Sequence, residues 1–270
     1  DITNVLVGGT AATIVAQGTN WITIRMPSGP SGTVSIVVQS TTEGTRTLNA
    51  AYRYNPRGQI GNDPHYSWVN LGSGMNAEVE ALAMGTNREL YAAGLFTTAG
   101  GISAQRIAKW DGSNWTNLGV GLNSSVHALA MGTNGHCYAG GDFSTAGGIS
   151  ASRVAKWNGS SWTNLSSGIN GSVMALAMPT NGDLYAGGFF STAGGMGVNN
   201  VAKWNGSTWT NLGTGVGNTV IPVLALALGT NGDLYAGGWF TNAGGIAANY
   251  IAKWNGSSWT NLSSGMNGPV

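Results

Sequence analysis

Charged residues are scarce in this sequence, and the scarcity excludes one large class of partner. Only 8% of the 270 residues are Asp, Glu, Lys or Arg, and the formal net charge is +1. An ordinary globular protein has about 25% charged residues. No basic run interleaved with aromatic residues occurs. Because a nucleic-acid binder needs a cationic surface to displace condensed counterions, we expect no nucleic-acid partner.

Cysteine and long apolar stretches are also nearly missing. The single cysteine, Cys137, cannot form an internal disulfide, and the three histidines are scattered along the chain. We therefore expect neither a cofactor nor a metal, since zinc sites need clustered Cys and His ligands. No apolar run approaches the ~20 residues that span a bilayer, so we expect no membrane insertion by this segment.

Glycine is abundant, at 45 of 270 residues, and Ser, Thr and Asn are frequent. Solubility must therefore depend on uncharged hydroxyl and amide groups. This composition favours an extracellular or cell-surface protein, such as a secreted wall, adhesin or fibre component. A low-charge soluble domain of another compartment is the plainer alternative.

An internal repeat dominates the chain from residue 65 onward. A W-[TV]-N-L segment recurs three times at intervals of 47 residues and once at 50, because residues 216–222 carry a three-residue insertion. Between these segments the order is constant: V-x-A-L-A, T-N-G-x-L-Y-A-G-G-x-F, T-A-G-G and A-K-W-[ND]-G-S. The marker tryptophans are Trp68, Trp115, Trp162, Trp209 and Trp259.

Turn sequences divide each repeat into four short segments typical of strands. Asn-Gly between apolar runs is a strong hairpin signal, although the first repeat has Asn87-Arg88 there. No segment has the 3.6-residue period of a helix. Four strands in about 47 residues predict one blade of a β-propeller. We expect small Ala and Gly residues to let sheets approach closely, and paired tryptophans such as Trp110 and Trp115 to cluster.

The repeat resembles the blades of kelch-type and galactose-oxidase-central-domain-like propellers. It is most similar to the I-A-K-W-N-G-S-S-W-T-N-L and L-Y-A-G-G-x-F repeats of secreted and cell-surface proteins, including fungal cortical polarity-marker proteins. The resemblance covers roughly residues 65–270. It implies a fold far more strongly than a function, because propellers serve many unrelated roles.

The first 56 residues lack the repeat and contain four or five short apolar runs separated by Gly and Ser turns. Such runs predict antiparallel strands. The segments V-G-G-x-x-A-x-I-V, G-T-V-S-I-V-V and Y-x-Y resemble the later half of an IPT/TIG domain, an immunoglobulin-like module. The resemblance implies that the first strands of that module precede residue 1.

The predicted fold class is therefore all-β, with a partial immunoglobulin-like β-sandwich followed by a β-propeller of at least four blades. We expect the partial sandwich at residues 1–56, a linker at 57–64 and the propeller at 65–270. We also expect the chain to be part of a longer protein with more blades, although four blades closing alone is an alternative. The repeats run over 68–114, 115–161, 162–208 and 209–258, and a further repeat starts at 259–270.

Candidate catalytic residues should depart from the repeat, and none forms a familiar constellation. Cys137 takes the place of a leucine, which favours a core role over a reactive thiol. His127 and His136 align with variable or turn positions. Glu78 and Glu80 share one strand face and could act as acid and base, but a solvated pair at a turn is the simpler interpretation. We therefore expect no enzyme.

Candidate binding residues lie at two variable positions of the repeat. One position precedes the Phe of G-x-F, and the other lies just before the A-K-W strand. Exposed aromatic residues there could stack on sugars, whereas packing between blades is the simpler alternative. The recurring lysine of A-K-W could cover a Trp ring or contact a ligand. The candidate ligand or glycan contacts are Trp239, Tyr250, Phe189, Asp142, Arg106 and Arg153.

N-x-S/T sequons are frequent, and several coincide with N-G-S turns that need no glycan to explain them. Secretion by a eukaryote would make glycosylation feasible. The sequons begin at Asn114, Asn123, Asn158, Asn164, Asn170, Asn205, Asn255 and Asn261.

These observations predict a non-enzymatic structural or adhesive module of a larger extracellular surface or filament protein. Its partners would be other copies of itself or other surface proteins. The alternative is a lectin-like propeller that binds glycans at several equivalent sites between blades.

Overall fold

The computed structural model describes residues 2–7, 10–17, 22–25, 32–40, 44–54, 70–218 and 221–270. Every regular element in these ranges is a β-strand, which confirms the all-β prediction. No helix in these ranges has the length and apolar character that crossing a membrane requires. The chain divides into two compact units, Asp1–Val69 and Asn70–Val270. The predicted linker at 57–64 lies outside the described residues, as do His65 and Trp68.

The first unit contains one four-stranded antiparallel sheet, in the order β2-β1-β5-β6, and a separate hairpin of β3 and β4. The G-T-V-S-I-V-V segment forms most of β5, and the final Y-x-Y segment ends β6. Val5 is buried, and its carbonyl accepts a hydrogen bond from the amide of Ala12 at 2.8 Å. The strands are β1 Ile2–Val7, β2 Thr10–Ala11, β3 Thr13–Gln17, β4 Ile22–Arg25, β5 Gly32–Ser40 and β6 Gly44–Tyr54.

The second unit repeats one four-stranded antiparallel sheet four times. V-x-A-L-A forms its first strand, L-Y-A-G-G its second, A-K-W its third and W-T-N its fourth. Sheet 1 consists of β7 Val79–Met84, β8 Leu90–Gly94, β11 Ile107–Trp110 and β12 Trp115–Asn117. Sheet 2 consists of β13 Val126–Met131, β14 Cys137–Gly141, β17 Val154–Trp157 and β18 Trp162–Asn164. The prediction of repeated four-stranded sheets is thus confirmed.

Sheet 3 consists of β19 Ser172–Ala177, β20 Leu184–Phe189, β23 Val201–Trp204 and β24 Trp209–Asn211. Sheet 4 consists of β25 Val223–Leu228, β26 Leu234–Gly238, β29 Ile251–Trp254 and β30 Trp259–Asn261. Between the second and third strands of each sheet lies a two-residue hairpin that the sequence analysis did not predict. These hairpins are β9 Thr98–Ala99 with β10 Ile102–Ser103, β15 Thr145–Ala146 with β16 Ile149–Ser150, β21 Thr192–Ala193 with β22 Met196–Gly197, and β27 Asn242–Ala243 with β28 Ile246–Ala247.

Successive repeats are joined by the segment that follows W-T-N-L. It crosses to the next sheet and forms a bridge with that sheet's short hairpin, as Leu122 does with Ala146. In the same way, the indole N–H of Trp162 donates to the carbonyl of Leu118 in the preceding repeat at 2.8 Å. Trp115, Trp209 and Trp259 make the equivalent bond. A Trp-to-Trp repeat therefore contains the fourth strand of one sheet and the first three strands of the next.

Glycines allow the strands and sheets to approach closely. A Cβ on Gly141 would lie 2.1 Å from the carbonyl oxygen of Ser125, beside a β-bulge in the first strand. The aligned Gly94, Gly188 and Gly238 meet the same obstacle. One residue earlier, a Cβ on Gly140 would meet the Val173 side chain of the next sheet at 2.5 Å. The first position therefore fixes the bulge, and the second brings neighbouring sheets together.

The sheets pack face to face, with the first strands of neighbouring sheets against one another. Each buried layer combines the Tyr and the β-branched residue of one sheet with the aliphatic and Trp residues of the next. The predicted tryptophan pairs form in all four sheets, with Trp110 and Trp115 rings 5.4 Å apart and tilted by 52°. Such stacking of four-stranded sheets is how propeller blades bury both of their faces.

Candidate binding surface at the loop end of the sheets

The second strand of every sheet ends at A-G-G and leads into the segment that carries the short hairpin. These segments, residues 95–106, 142–153, 189–200 and 239–250, define one end of the second unit, which we call the loop end. The Asn-Gly turns between the first two strands lie at the other end, which we call the turn end. All six predicted ligand contacts lie at the loop end, at positions that vary between repeats.

The residue before the Phe of G-x-F is half-exposed or exposed in each repeat, whereas the Phe itself fills the core. Phe96, Phe143 and Phe240 are fully buried. The preceding residue is 42% exposed at Phe189 and 58% exposed at Trp239. Burying a large aromatic side chain is strongly favourable, so two aromatics exposed at the same position of neighbouring sheets are candidates for contact with a partner.

The second variable position, just before the A-K-W strand, has a structural role that the sequence analysis did not predict. Arg106, Arg153, Asn200 and Tyr250 all have positive φ, between 59° and 65°. The amide of each donates to the carbonyl of the G-x-F Phe, as Arg153 does to Phe143 at 2.9 Å. The guanidinium groups of Arg106 and Arg153 also donate to the carbonyls of Leu95 and Asp142. These arginines therefore hold in place the backbone of the residue that precedes the G-x-F Phe.

Asn200 is the most constrained member of this position, because its side chain is fully buried. Its Oδ1 accepts from the amide of Phe190 at 3.2 Å, and its Nδ2 donates to the carbonyls of Val216 at 3.0 Å and Ile221 at 2.9 Å. Those two carbonyls belong to the segment that contains the three-residue insertion. Asn200 thus fastens the inserted segment to sheet 3, and asparagine tolerates the left-handed backbone that the position requires.

A charged cluster links the first three sheets at the loop end. The Nδ1 of His127 contacts the carboxylate of Glu80 on sheet 1, and its Nε2 lies 2.9 Å from Asp142 Oδ2. Ser172 of sheet 3 donates its hydroxyl to Asp142 Oδ1 at 2.6 Å. Glu80 and His127 occupy the same repeat position. Their alignment could have predicted this contact, but the sequence analysis did not draw that conclusion. Identical positions of neighbouring sheets lie side by side.

The environment of the cluster favours its charged state. Burial alone would lower the pKa of His127, but the hydrogen bonds to Asp142 and Glu80 outweigh burial and raise the pKa above its ordinary value. Burial alone would raise the pKa of Asp142, but the bonds from Ser172 and His127 hold the pKa below its ordinary range. Ser172 donates to the carboxylate, whereas activation of a serine nucleophile needs a bond to the imidazole.

An open groove of about 410 Å³ lies at the same end, on sheet 3. Polar side chains and backbone dominate its walls, which begin two residues after Phe189. The groove is lined by Ser191, Gly197, Val198, Asn199, Asn211, Gly213 and Thr214. Hydroxyl and amide groups of this kind form hydrogen bonds with neutral polar ligands.

The other residues considered as catalytic candidates, Cys137 and Glu80, have structural roles. Cys137 is fully buried, as predicted for a core residue, and burial raises the pKa of its thiol to about 12. Glu80 contacts His127 rather than pairing with Glu78. Within the described part of the chain, no three His, Cys, Asp or Glu residues are grouped so that they could hold a metal ion.

Three of the four recurring lysines contact carboxylates of the turn end. Lys109 Nζ lies 2.7 Å from Glu89, and Lys203 and Lys253 pair with Asp183 and Asp233. Hydrogen bonds from Lys109 and Asn87 outweigh burial and lower the pKa of Glu89. The asparagines of all eight sequons are exposed. Several also cap turns, as Asn158 does by accepting from the amides of Ser160 and Ser161.

No protein-family model matches the chain, and no curated protein sequence matches it. Among solved structures, it is similar to the extracellular domain of a hybrid two-component system from B. thetaiotaomicron, with 10% identity, a TM-score of 0.47, and coverage of 87% of this chain and 29% of that one. The WD40 β-propeller domain of Doa1 has 13% identity, a TM-score of 0.43, and coverage of 85% and 62%. YCF48 bound to D1 peptide has 14% identity, a TM-score of 0.42, and coverage of 87% and 63%. The chain therefore spans less than two thirds of each of these structures.

Proposed function

We propose that this chain is a non-enzymatic attachment module of a larger extracellular surface or filament protein, and that it binds a protein partner at the loop end. The observation that carries the proposal is the exposure of Phe189 and Trp239 at one repeat position of neighbouring sheets. Elsewhere in the described repeats, the tryptophans of the W-T-N-L strands are buried. Phe189 and Trp239 therefore differ from these tryptophans, because they are not buried in the packing between sheets.

The loop end has the composition of an interaction surface. Aromatic residues and arginine are enriched in protein interfaces, and a few aromatic anchors often supply most of the binding energy. Ser172 is the strand partner of Phe189 and donates to Asp142. The exposed Phe189 therefore lies beside the charged cluster. An apolar anchor flanked by charges gives both affinity and orientation to a bound partner.

Other features support the wider setting of the proposal. The low charge and the repeated architecture favour an extracellular structural protein. Residues 1–56 resemble an immunoglobulin-like module, and the repeats resemble kelch-type blades. Both resemblances support a modular surface protein with a propeller of more than four blades. The cluster's hydrogen bonds favour a role in holding sheets together over a role in catalysis. Exposed sequons would permit glycosylation in a eukaryotic host.

Site-specific photocrosslinking tests the proposed surface. The photoreactive residue p-benzoylphenylalanine would replace Phe189 or Trp239, and the chain would be incubated with surface extract of the source organism. The matched control places the same residue at Thr230, which is exposed at the turn end of sheet 4. We expect one shared protein to crosslink from positions 189 and 239. The same protein crosslinking from Thr230 with equal yield, or no protein shared by 189 and 239, would refute the proposal.

Glycan binding is a second candidate, favoured by the polar groove beside Phe189. Aromatic rings stack on sugar faces, while hydroxyl and amide groups bond sugar hydroxyls. On a glycan array, this candidate predicts a defined set of bound sugars, lost in both Phe189→Ala and Asn211→Ala. The variant Thr230→Ala should keep that set. An array that stays blank for the unaltered chain would leave the protein partner as the only candidate.

A further inference from the structure

Sheets 2, 3 and 4 have the same Asn-Gly turn between their first two strands, and its backbone is nearly identical in each. The amide of the turn glycine donates to the carbonyl three residues earlier, at 2.9 Å, 3.2 Å and 3.0 Å respectively. The φ of this glycine lies between 79° and 87°. The asparagine is exposed, and its Oδ1 accepts from the amide two residues later at 3.0 to 3.2 Å. The three asparagines are Asn134, Asn181 and Asn231.

Sheets 3 and 4 hold a carboxylate against the side chain of this asparagine. In sheet 3, Asn181 Nδ2 donates to Asp183 Oδ2 at 3.0 Å, and Lys203 Nζ lies 3.4 Å from the same oxygen. Sheet 4 repeats the arrangement with distances of 2.8 Å and 3.2 Å to one oxygen. The asparagine amide and the lysine ammonium therefore share a single carboxylate oxygen. Sheet 1 also has a carboxylate at this place, which its asparagine and its lysine contact.

Sheet 2 lacks this carboxylate. His136 takes its place, and a histidine carries either no charge or a positive one. Among the repeat residues that the structure describes, Lys156 has no ion pair and Asn134 Nδ2 has no hydrogen-bond acceptor. The neighbouring sheets contribute Thr86 and Met178 beside this turn, and neither is charged. The turn of sheet 2 thus has a lysine without its counter-charge.

We propose that Asn134 deamidates and that the resulting carboxylate pairs with Lys156. The amide nitrogen of Gly135, having lost its proton to solvent, attacks Cγ of Asn134. The new N–Cγ bond closes a succinimide ring, the Cγ–Nδ2 bond breaks, and ammonia leaves with a proton from water. Water then opens the ring at either carbonyl and gives aspartate or isoaspartate. Glycine has no side chain to obstruct the attacking nitrogen.

The surrounding charges select Asn134 over the other two asparagines. Negative charge develops on the attacking nitrogen and on the amide oxygen, so a carboxylate bonded to the same asparagine opposes the reaction and a nearby cation favours it. Sheets 3 and 4 present that carboxylate, whereas sheet 2 presents His136 and Lys156. The product carboxylate then gives sheet 2 the ion pair that the other three sheets have from their sequence.

Peptide mapping by mass spectrometry tests the selection within one sample. The purified chain is kept folded at mildly alkaline pH, digested at intervals, and scored for conversion at each of the three turns. Asn134 should convert at least about fivefold faster than Asn181 or Asn231, the factor that one unit charge about 4 Å away supplies in water. Equal rates at the three turns in the folded chain would overturn the proposal.

Two substitutions at one position separate the missing carboxylate from the histidine itself. His136→Asp restores the carboxylate and should slow conversion of Asn134 to the rate of Asn181. His136→Gln is the matched uncharged control and should leave conversion fast. A fast His136→Asp variant, or a slow His136→Gln variant, would show that the missing carboxylate does not select this site. Circular dichroism establishes that both variants are folded.

The pairing with Lys156 has its own test. Asn134→Asp imitates the product, and the pKa of the new carboxylate is measured by NMR titration. This pKa should rise when Lys156→Gln is added, because the lysine favours the charged carboxylate. A pKa that Lys156→Gln leaves unchanged would overturn the pairing. The reaction takes place at the turn end, so its outcome is independent of the partner surface proposed at the loop end.

Discussion

Sheets 2 and 3 have almost the same strands but are fastened to their surroundings in different ways. Sheet 2 is tied through ionic hydrogen bonds of His127 and Asp142 to the sheets on both sides. Sheet 3 is tied through the buried amide of Asn200 to an inserted backbone segment. The residues that are identical in the repeats form the strands and turns of each sheet. The residues that differ between repeats are concentrated at the loop end, where they make contacts specific to one sheet.

The largest expected effect concerns a glycine position that all four sheets share. Gly141→Ala should lower the free energy of unfolding by about 3 kcal/mol or more, because its Cβ would collide with the Ser125 carbonyl, which the bulge fixes in place. Gly140→Ala should cost only about 1 kcal/mol, since Val173 can shift and sheet 1 has Ala93 at this position. Urea denaturation measures both. Gly188→Ala should repeat the large cost in sheet 3, and equal costs at 140 and 141 would contradict this account.

The next effect is specific to sheet 3. Asn200→Gly keeps the positive φ but removes the side chain that binds the inserted segment. We expect a loss of about 2 kcal/mol in the free energy of unfolding, because buried carbonyls lose their donor. Hydrogen exchange should also accelerate around residues 216–222. Arg153→Gly in sheet 2 is the matched control, and it should leave exchange in that segment unchanged.

A smaller, pH-dependent effect is specific to sheet 2. The pKa of folded His127 is raised above its ordinary value of 6.5, so its stabilisation is complete below pH 6.5 and disappears as pH rises through the folded pKa. The lowered pKa of Asp142 means that its stabilisation is lost as pH falls below about 4. Relative to His127→Gln, the unaltered chain should therefore be more stable by about 1 kcal/mol between pH 4 and 6.5. Thermal melts across pH measure this difference.

The control for the pH effect is His136→Gln, at the turn end and outside the cluster. Its melting temperature should follow that of the unaltered chain at every pH. A His127→Gln variant with the same pH profile as the unaltered chain would show that the cluster does not bind sheets 1 to 3 together.

The smallest effect concerns a turn in which sheet 1 departs from the other three. Arg88 has φ of 68° where the other repeats have glycine. Arg88→Gly should raise the free energy of unfolding by about 0.5 kcal/mol, because relief of backbone strain slightly exceeds the added entropy of the unfolded chain. The reciprocal change, Gly135→Arg in sheet 2, should lower it by a similar amount. Opposite signs in these two denaturation experiments are the expected result.

Much of the fold could be predicted because it depends on local chemistry that recurs in every repeat. The Asn-Gly turns, the four strand segments, the tryptophan pairs and the buried Cys137 all follow from residues close in sequence or aligned between copies. The short T-A hairpins were missed because each is completed by a bridge from the preceding repeat. Their two-residue strands are too short to show an apolar period.

The candidate surface was predicted only in part, since alignment located its variable positions but not their surroundings. Phe189 and Trp239 are exposed as the stacking interpretation requires. Arg106, Arg153 and Tyr250 have left-handed backbone, and the two arginines bind their own loops. His127 was set aside as a scattered histidine, although its two carboxylate partners lie 47 and 15 residues away.

By itself the sequence determined the repeated sheet, because turn residues and apolar alternation act over a few neighbouring positions. Only the tertiary structure decided which groups meet across sheets, as in the His127 cluster and the Asn200 anchor. These contacts join residues far apart in the chain, and their energies depend on burial and on the approach of separate backbones. No local pattern encodes that approach.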